Sequence, residues 1–111
     1  MVGHNNKEIR RSYATGKVTG QNYYTGGLVG MNADGALSWI HDSYATGEVH
    51  GWNETGGLVG YNSGKIERSY SSGDVYSTND NIGGLIGVNY PAVDPGVVDS
   101  FTISNIFYSG V

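Results

Sequence analysis

The chain has no cysteine among its 111 residues, which excludes disulfide bridges and thiolate metal sites and leaves compartment unreadable from redox usage. Positive charge is scarce: six basic residues face ten acidic ones, and no cationic cluster exceeds Arg10-Arg11. Phosphate recognition needs several clustered cations, so nucleic acid is not an expected partner. No apolar run approaches the ~18 residues of a membrane span, so no direct membrane insertion is expected. No leader sequence opens the chain, so targeting and anchoring segments are expected outside it. Leu, Ile, Val and Phe fill only 24 positions. A chain so poor in aliphatics would read as disordered unless its 19 glycines were periodic.

They are periodic. Gly26-Gly27-Leu28-Val29-Gly30 recurs as Gly56-Gly57-Leu58-Val59-Gly60 and Gly83-Gly84-Leu85-Ile86-Gly87, and Met1-Val2-Gly3 forms the tail of another copy. An asparagine follows each at one offset: Asn5, Asn32, Asn62 and Asn89. A second block, Ser12-Tyr13-Ala14, returns as Ser43-Tyr44-Ala45, Ser69-Tyr70-Ser71 and, more weakly, Ser100-Phe101-Thr102. Ile9, Ile40, Ile66 and Val97 precede these blocks, and Val18, Val49, Val75 and Ile106 follow them. The intervals between the block leucines (Met1 in the first copy) are 27, 30 and 27 residues. Copies two and four each carry four extra residues between the asparagine and the next aliphatic, so both four-residue insertions fall at one and the same corner.

Helix is a poor fit, because the apolar spacing is wrong and each internal glycine would cost about 1 kcal/mol. Short, alternating, β-branched segments read as strands. In Ser12–Val18 the Ser, Ala, Gly, Val face is expected to point inward. The Tyr, Thr, Lys face is expected to meet water, since Lys17, Glu48 and Asp74 exchange freely on it. The expected fold is all-β: one parallel β-helix or β-solenoid, right-handed by the general crossover rule, with about four coils of roughly 27–30 residues. Coils are expected to start near Met1, Leu28, Leu58 and Leu85, each holding two or three short strands. Asparagine amides should bond along the axis, and Gly-Gly should supply a positive-φ corner. A sandwich of antiparallel hairpins is the competing arrangement, and it explains the strict register and single insertion corner less well.

These residues resemble the GLUG repeat family through Gly27-Leu28-Val29-Gly30, Gly57-Leu58-Val59-Gly60 and Gly84-Leu85-Ile86-Gly87, each with its downstream asparagine and Ser-Tyr segment. The resemblance covers nearly the whole chain. The fourth copy departs from it, with Phe101 for tyrosine and Ser104 for glycine. The resemblance implies large secreted or cell-wall-attached bacterial proteins, hence an extracellular or cell-surface location. Among them are adhesin-like molecules and zinc peptidases that cleave immunoglobulin A, whose repeats lie apart from the catalytic motif.

Chemistry is sparse. His4, His41 and His50 offer no His-Glu-x-x-His spacing. His41-Asp42-Ser43 superficially suggests a triad, but Ser43 belongs to the repeated serine row. Asp34-Gly35, Asp94 and Asp99 do not form an acid-rich calcium loop and read as turns. No acidic pair suited to glycoside cleavage is identifiable. The expectation is a non-enzymatic scaffold with no cofactor. Tyr13, Tyr44 and Tyr70, with Trp39 in the first inserted corner and Trp52 after the second Val strand, are the candidate ligand-binding residues. A host glycan or host protein is the partner they would suit. Exposed coil ends would also favour end-to-end self-association.

Overall fold

The computed structural model describes residues 2–21, 23–33, 37–79, 81–91 and 96–108, with the side chain of Tyr108 excepted. Met1, Asp34, Gly35 and Asp94 therefore lie outside the described residues. Short strands wind in coils. The first coil holds β1 (Val2–Asn5), β2 (Glu8–Arg10), β3 (Tyr13–Ala14), β4 (Val18–Thr19) and β5 (Tyr24–Gly26). The second holds β6 (Val29–Asn32), β7 (Trp39–His41), β8 (Tyr44–Ala45), β9 (Val49–Gly51) and β10 (Glu54–Gly56). The third holds β11 (Val59–Asn62), β12 (Lys65–Glu67), β13 (Tyr70–Ser71), β14 (Val75–Ser77) and β15 (Ile82–Gly83). A partial fourth holds β16 (Ile86–Asn89), β17 (Val97–Val98), β18 (Phe101–Thr102) and β19 (Ile106–Tyr108).

Each strand pairs in parallel with its equivalent one coil away, giving four sheets of four strands and one of three. The fold is thus an all-β parallel solenoid of about three complete turns. Every complete coil has five short sides rather than two or three, because each long side breaks at a backbone corner. The four-residue insertions do not disturb the register: Asn5, Asn32, Asn62 and Asn89 align, as do Ile9, Ile40, Ile66 and Val97.

The core is a stack of aliphatic rows centred on the two middle coils: Leu28 with Leu58, Val29 with Val59, and Ile40 with Ile66. Leu28 and Val29 are adjacent yet both buried, which a flat strand forbids. A corner between them explains it, since both of their N–H groups donate to the Leu58 carbonyl, and Leu58 and Val59 repeat this on Leu85. Burying each such side chain contributes roughly 1.5–3 kcal/mol.

Polar rows close the interior. Asn5, Asn32 and Asn62 each donate from Nδ2 to the Oδ1 of the next coil's asparagine, at 2.7, 2.7 and 2.8 Å. The same amides bridge their own turn, as Asn62 does to the Gly64 carbonyl and N–H. The expected amide ladder is therefore present. The expected positive-φ glycine corner is not: no described glycine lies in the left-handed region, and the Gly-Gly pair is small for a different reason. A Cβ on Gly27 would strike the Gly57 carbonyl oxygen of the coil above, so close stacking of backbone is what excludes a side chain there. The left-handed corner falls instead on Arg11, Asp42, Arg68 and Asp99, at φ 46°, 53°, 45° and 48°. Each precedes a repeated serine. Ser43 Oγ donates to the His41 carbonyl (2.9 Å) and accepts from the Ser12 N–H (3.2 Å), and Ser69 does the same one coil on. The serine row thus bridges the break in the backbone ladder that the left-handed residue creates.

Candidate binding surface

Three outward-facing features hold the candidate residues, and a further tilted cluster of Tyr24, Tyr61 and Tyr90 lies apart from them. The first is the tyrosine row on β3, β8, β13 and β18. Tyr13, Tyr44, Tyr70 and Phe101 stack at centroid separations of 5.2, 5.1 and 5.2 Å with planes within 8° of parallel. Tyr13 is 62% exposed. In-register pairing puts identical positions about one coil rise apart, so rings on this face must meet face to face. Their inner faces are consumed by one another, and only edges and the two ends, Tyr13 and Phe101, meet solvent.

The second feature is a charged corner around Trp39, which lies in β7 rather than in the inserted corner. Pairing with Glu8 and Lys65 holds it there. Its indole stacks on the His41 ring at 3.9 Å, with Lys65 Nζ 5.7 Å from its centroid. His41 is nearly buried, and its two ring nitrogens face Asp42 Oδ2 (2.7 Å) and Glu8 Oε2 (2.6 Å). Burial alone pulls the His41 pKa down, but the bonds to Glu8 and Asp42 together outweigh it, so the pKa is raised. With a carboxylate on each nitrogen the imidazolium is the form that satisfies both. Arg68 grips Asp42 through Nε (2.7 Å) and Nη2 (3.0 Å), and this bond, followed by that of His41, holds the Asp42 carboxyl far below its ordinary value. The network ties three coils together at the left-handed corner. Ser43 Oγ bonds the His41 backbone carbonyl, not its ring, so His41, Asp42 and Ser43 do not form a nucleophilic triad.

The third feature is an open groove of about 860 Å³ running parallel to the solenoid axis. One wall is the row following the core valines: Thr19, His50, Tyr76 and Phe107. His50 stacks on Tyr76 at 4.3 Å and Tyr76 on Phe107 at 4.6 Å. The opposite wall is Gln21, Trp52 and Thr78, two residues further along each coil. Between them the floor is Gly20, Gly51 and Ser77. This middle row faces inward: a Cβ on Gly20 or Gly51 would strike the Thr25 or Thr55 hydroxyl. The groove is therefore what remains when an inward row separates two outward ones. Trp52 is 47% exposed.

The candidate residues thus occupy three separate places: Tyr13, Tyr44 and Tyr70 on the stacked row, Trp39 in the charged corner, and Trp52 on the groove. Gln21, His50, Tyr76, Thr78 and Phe107 escaped the sequence reading. The signal was the register itself, because the same offsets that align the tyrosines also align the positions one and three residues beyond each core valine. Among the described residues no group of three or more His, Asp or Glu side chains could hold a metal ion, and no helix is long and apolar enough to cross a membrane.

Stacked coils in strict register, with small and amide rows turned inward, define a parallel β-solenoid repeat protein. The family model of the GLUG motif matches residues 53–76, which run from the groove-side corner into β14, and this match supports a GLUG-repeat assignment. A protein of Evansella cellulosilytica, provisionally named a Gly-rich membrane protein, is 38% identical over 83 residues. The match covers 70% of this chain but only 9% of that relative's length. No solved structure matches the chain.

Proposed function

We propose that this segment is a non-catalytic structural repeat of a bacterial surface protein, a stackable spacer that carries other parts of its parent chain away from the cell envelope. The observation supporting this is how the recurring side chains are used. Asparagine amides, serine hydroxyls, tyrosine faces and aliphatic rows are all engaged with the adjacent coil. Such nearest-neighbour bonding lets coils be added without redesign, which is the mechanical requirement of a spacer. The name of the Evansella relative supports an envelope location. An extracellular position, and a contribution to adhesion through the outward rows, are the finer parts of this reading.

The test is duplication of one coil, residues 58–84, in register. The expected product folds cooperatively, lengthens by about 5 Å in solution scattering and melts at higher temperature than the parent chain. An unfolded or shorter particle, or hydrolysis of a polysaccharide or peptide bond by the purified chain, would sink the spacer reading.

A further inference from the structure

The groove between β4, β9, β14 and the Trp52 row brings several unspent polar groups together beside aromatic surface. The side chains of Thr19, Gln21, Trp52, Tyr76 and Thr78 make no hydrogen bond to any described residue. Two hydroxyls, an amide, an indole N–H and a phenol thus line one groove together with aromatic surface. Trp52 has no ring partner among the described residues and is 47% exposed, so indole surface remains for a ligand to stack on. The walls carry no Lys, Arg, Asp or Glu, and the one imidazole, His50, is bonded to Glu48 at 2.7 Å.

Several occupants are disfavoured by these facts. An anionic polymer would find no cation on the walls, and in the row beside them the single cation, Lys17, is paired with Glu48 at 3.8 Å while Asp74 adds further negative charge. The same burial and carboxylates push the Tyr76 pKa up, leaving its phenol a neutral donor. An extended peptide would need free backbone groups on the groove floor. That backbone is already paired between coils, with the Gly20 N–H on the His50 carbonyl at 2.8 Å and Ser77 in register with Gly51. What fits is a ligand with apolar faces, many hydroxyls and no charge.

We propose that this groove is a binding site for a neutral oligosaccharide, lying along the solenoid axis with a sugar ring on Trp52 and its hydroxyls on Gln21, Thr78 and Tyr76. From Gln21 to Thr78 the groove crosses two coil steps, roughly 10 Å, enough for two or three pyranose units. Its volume is that of an ordinary small-ligand site. The site does not depend on the spacer reading, since a scaffold or an enzyme accessory region could equally carry it.

The experiment is titration of the whole chain with a panel of neutral hexasaccharides (β-glucan, xylan, mannan, α-glucan and N-acetylated chitin fragments), read by tryptophan fluorescence and calorimetry. Heparin fragments and an oligolysine peptide serve as charged controls. At least one neutral sugar is expected to saturate the chain at sub-millimolar to millimolar concentration. Trp52→Ala should weaken it about tenfold or more, and Gln21→Ala by less. Trp39→Phe should leave affinity unchanged and keeps the fluorescence signal assignable to Trp52. Circular dichroism of each variant separates lost binding from lost fold. No response to any neutral sugar, binding that survives Trp52→Ala, or saturation by a charged control alone would each overturn the assignment.

Discussion

On β8 and its neighbours the outward row is uniform, with Tyr13, Tyr44, Tyr70 and Phe101 stacked ring on ring. On β9 and its neighbours the equivalent row is graded, from Thr19 through His50 and Tyr76 to Phe107, and it faces Trp52 across a groove. Both rows are aromatic, outward and in register, yet they do different work. The uniform row turns its ring faces on itself and so stabilises the stack. The graded row is bounded by Trp52 and by unbonded polar groups, so part of its surface contributes nothing to the fold. Exposure of an aromatic side chain therefore does not by itself mark a binding surface. The more informative question is whether its faces and polar neighbours are already committed.

Substitutions test the difference between the two rows, and the largest effect should come from neither row but from the inward asparagines. Asn62→Ala removes the acceptor of Asn32 Nδ2 and the donor to Asn89 Oδ1, and it frees the Gly64 turn. Denaturant titration should show a loss of about 3 kcal/mol. A loss below about 1 kcal/mol would mean water replaces the ladder. Tyr44→Ala removes two ring stacks and should cost about 1–2 kcal/mol by the same measurement. If it costs nothing, the uniform row is not a stabilising device and the contrast collapses.

The charged corner predicts a pH dependence of smaller size. His41 has an ordinary value of 6.5 and is raised in the fold, so its contribution is fully present below pH 6.5 and is lost as pH rises through the folded value. Glu8 and Asp42, ordinarily 4.5 and 3.8, are both lowered, Glu8 chiefly by its bond to His41 and Asp42 chiefly by Arg68. Their contributions are present above those values and disappear as pH falls through the folded ones. Thermal midpoints should therefore be flat between pH 4.5 and 6.5, decline above that window, and lose the alkaline decline in His41→Gln. An unchanged alkaline limb in that variant would remove His41 from the account. Smallest of all, Trp52→Ala should move stability by no more than about 0.5 kcal/mol, because the indole is exposed and stacks on nothing in the described fold. A large loss would place Trp52 in the structural set and weaken the contrast between the rows.

Much of the fold was legible because a solenoid repeats its demands once per coil. The 27- and 30-residue spacings placed Asn5, Asn32, Asn62 and Asn89 in one row, and the exchange of Lys17, Glu48 and Asp74 marked the wet face. The corners were not legible. Gly-Gly reads as the place for positive φ, yet the left-handed corner falls on Arg11, Asp42, Arg68 and Asp99, and its two arginines give no such signal. Trp39 looked like a loop residue, and only its pairing with Glu8 and Lys65 shows that it belongs to a strand.

Period, register and the identity of the buried rows were all written in the residue order, because equivalent residues in a stacked coil must meet their own kind one step away. Only the tertiary structure decided where each coil bends, and therefore which outward rows stand side by side. The groove exists because the chain turns between Thr19 and Gln21, and between His50 and Trp52, with a side-chain-free residue pointing inward at the bend. Periodicity along the axis is written in the sequence, whereas adjacency around the coil depends on backbone angles at a few corners, which no repeat spacing records.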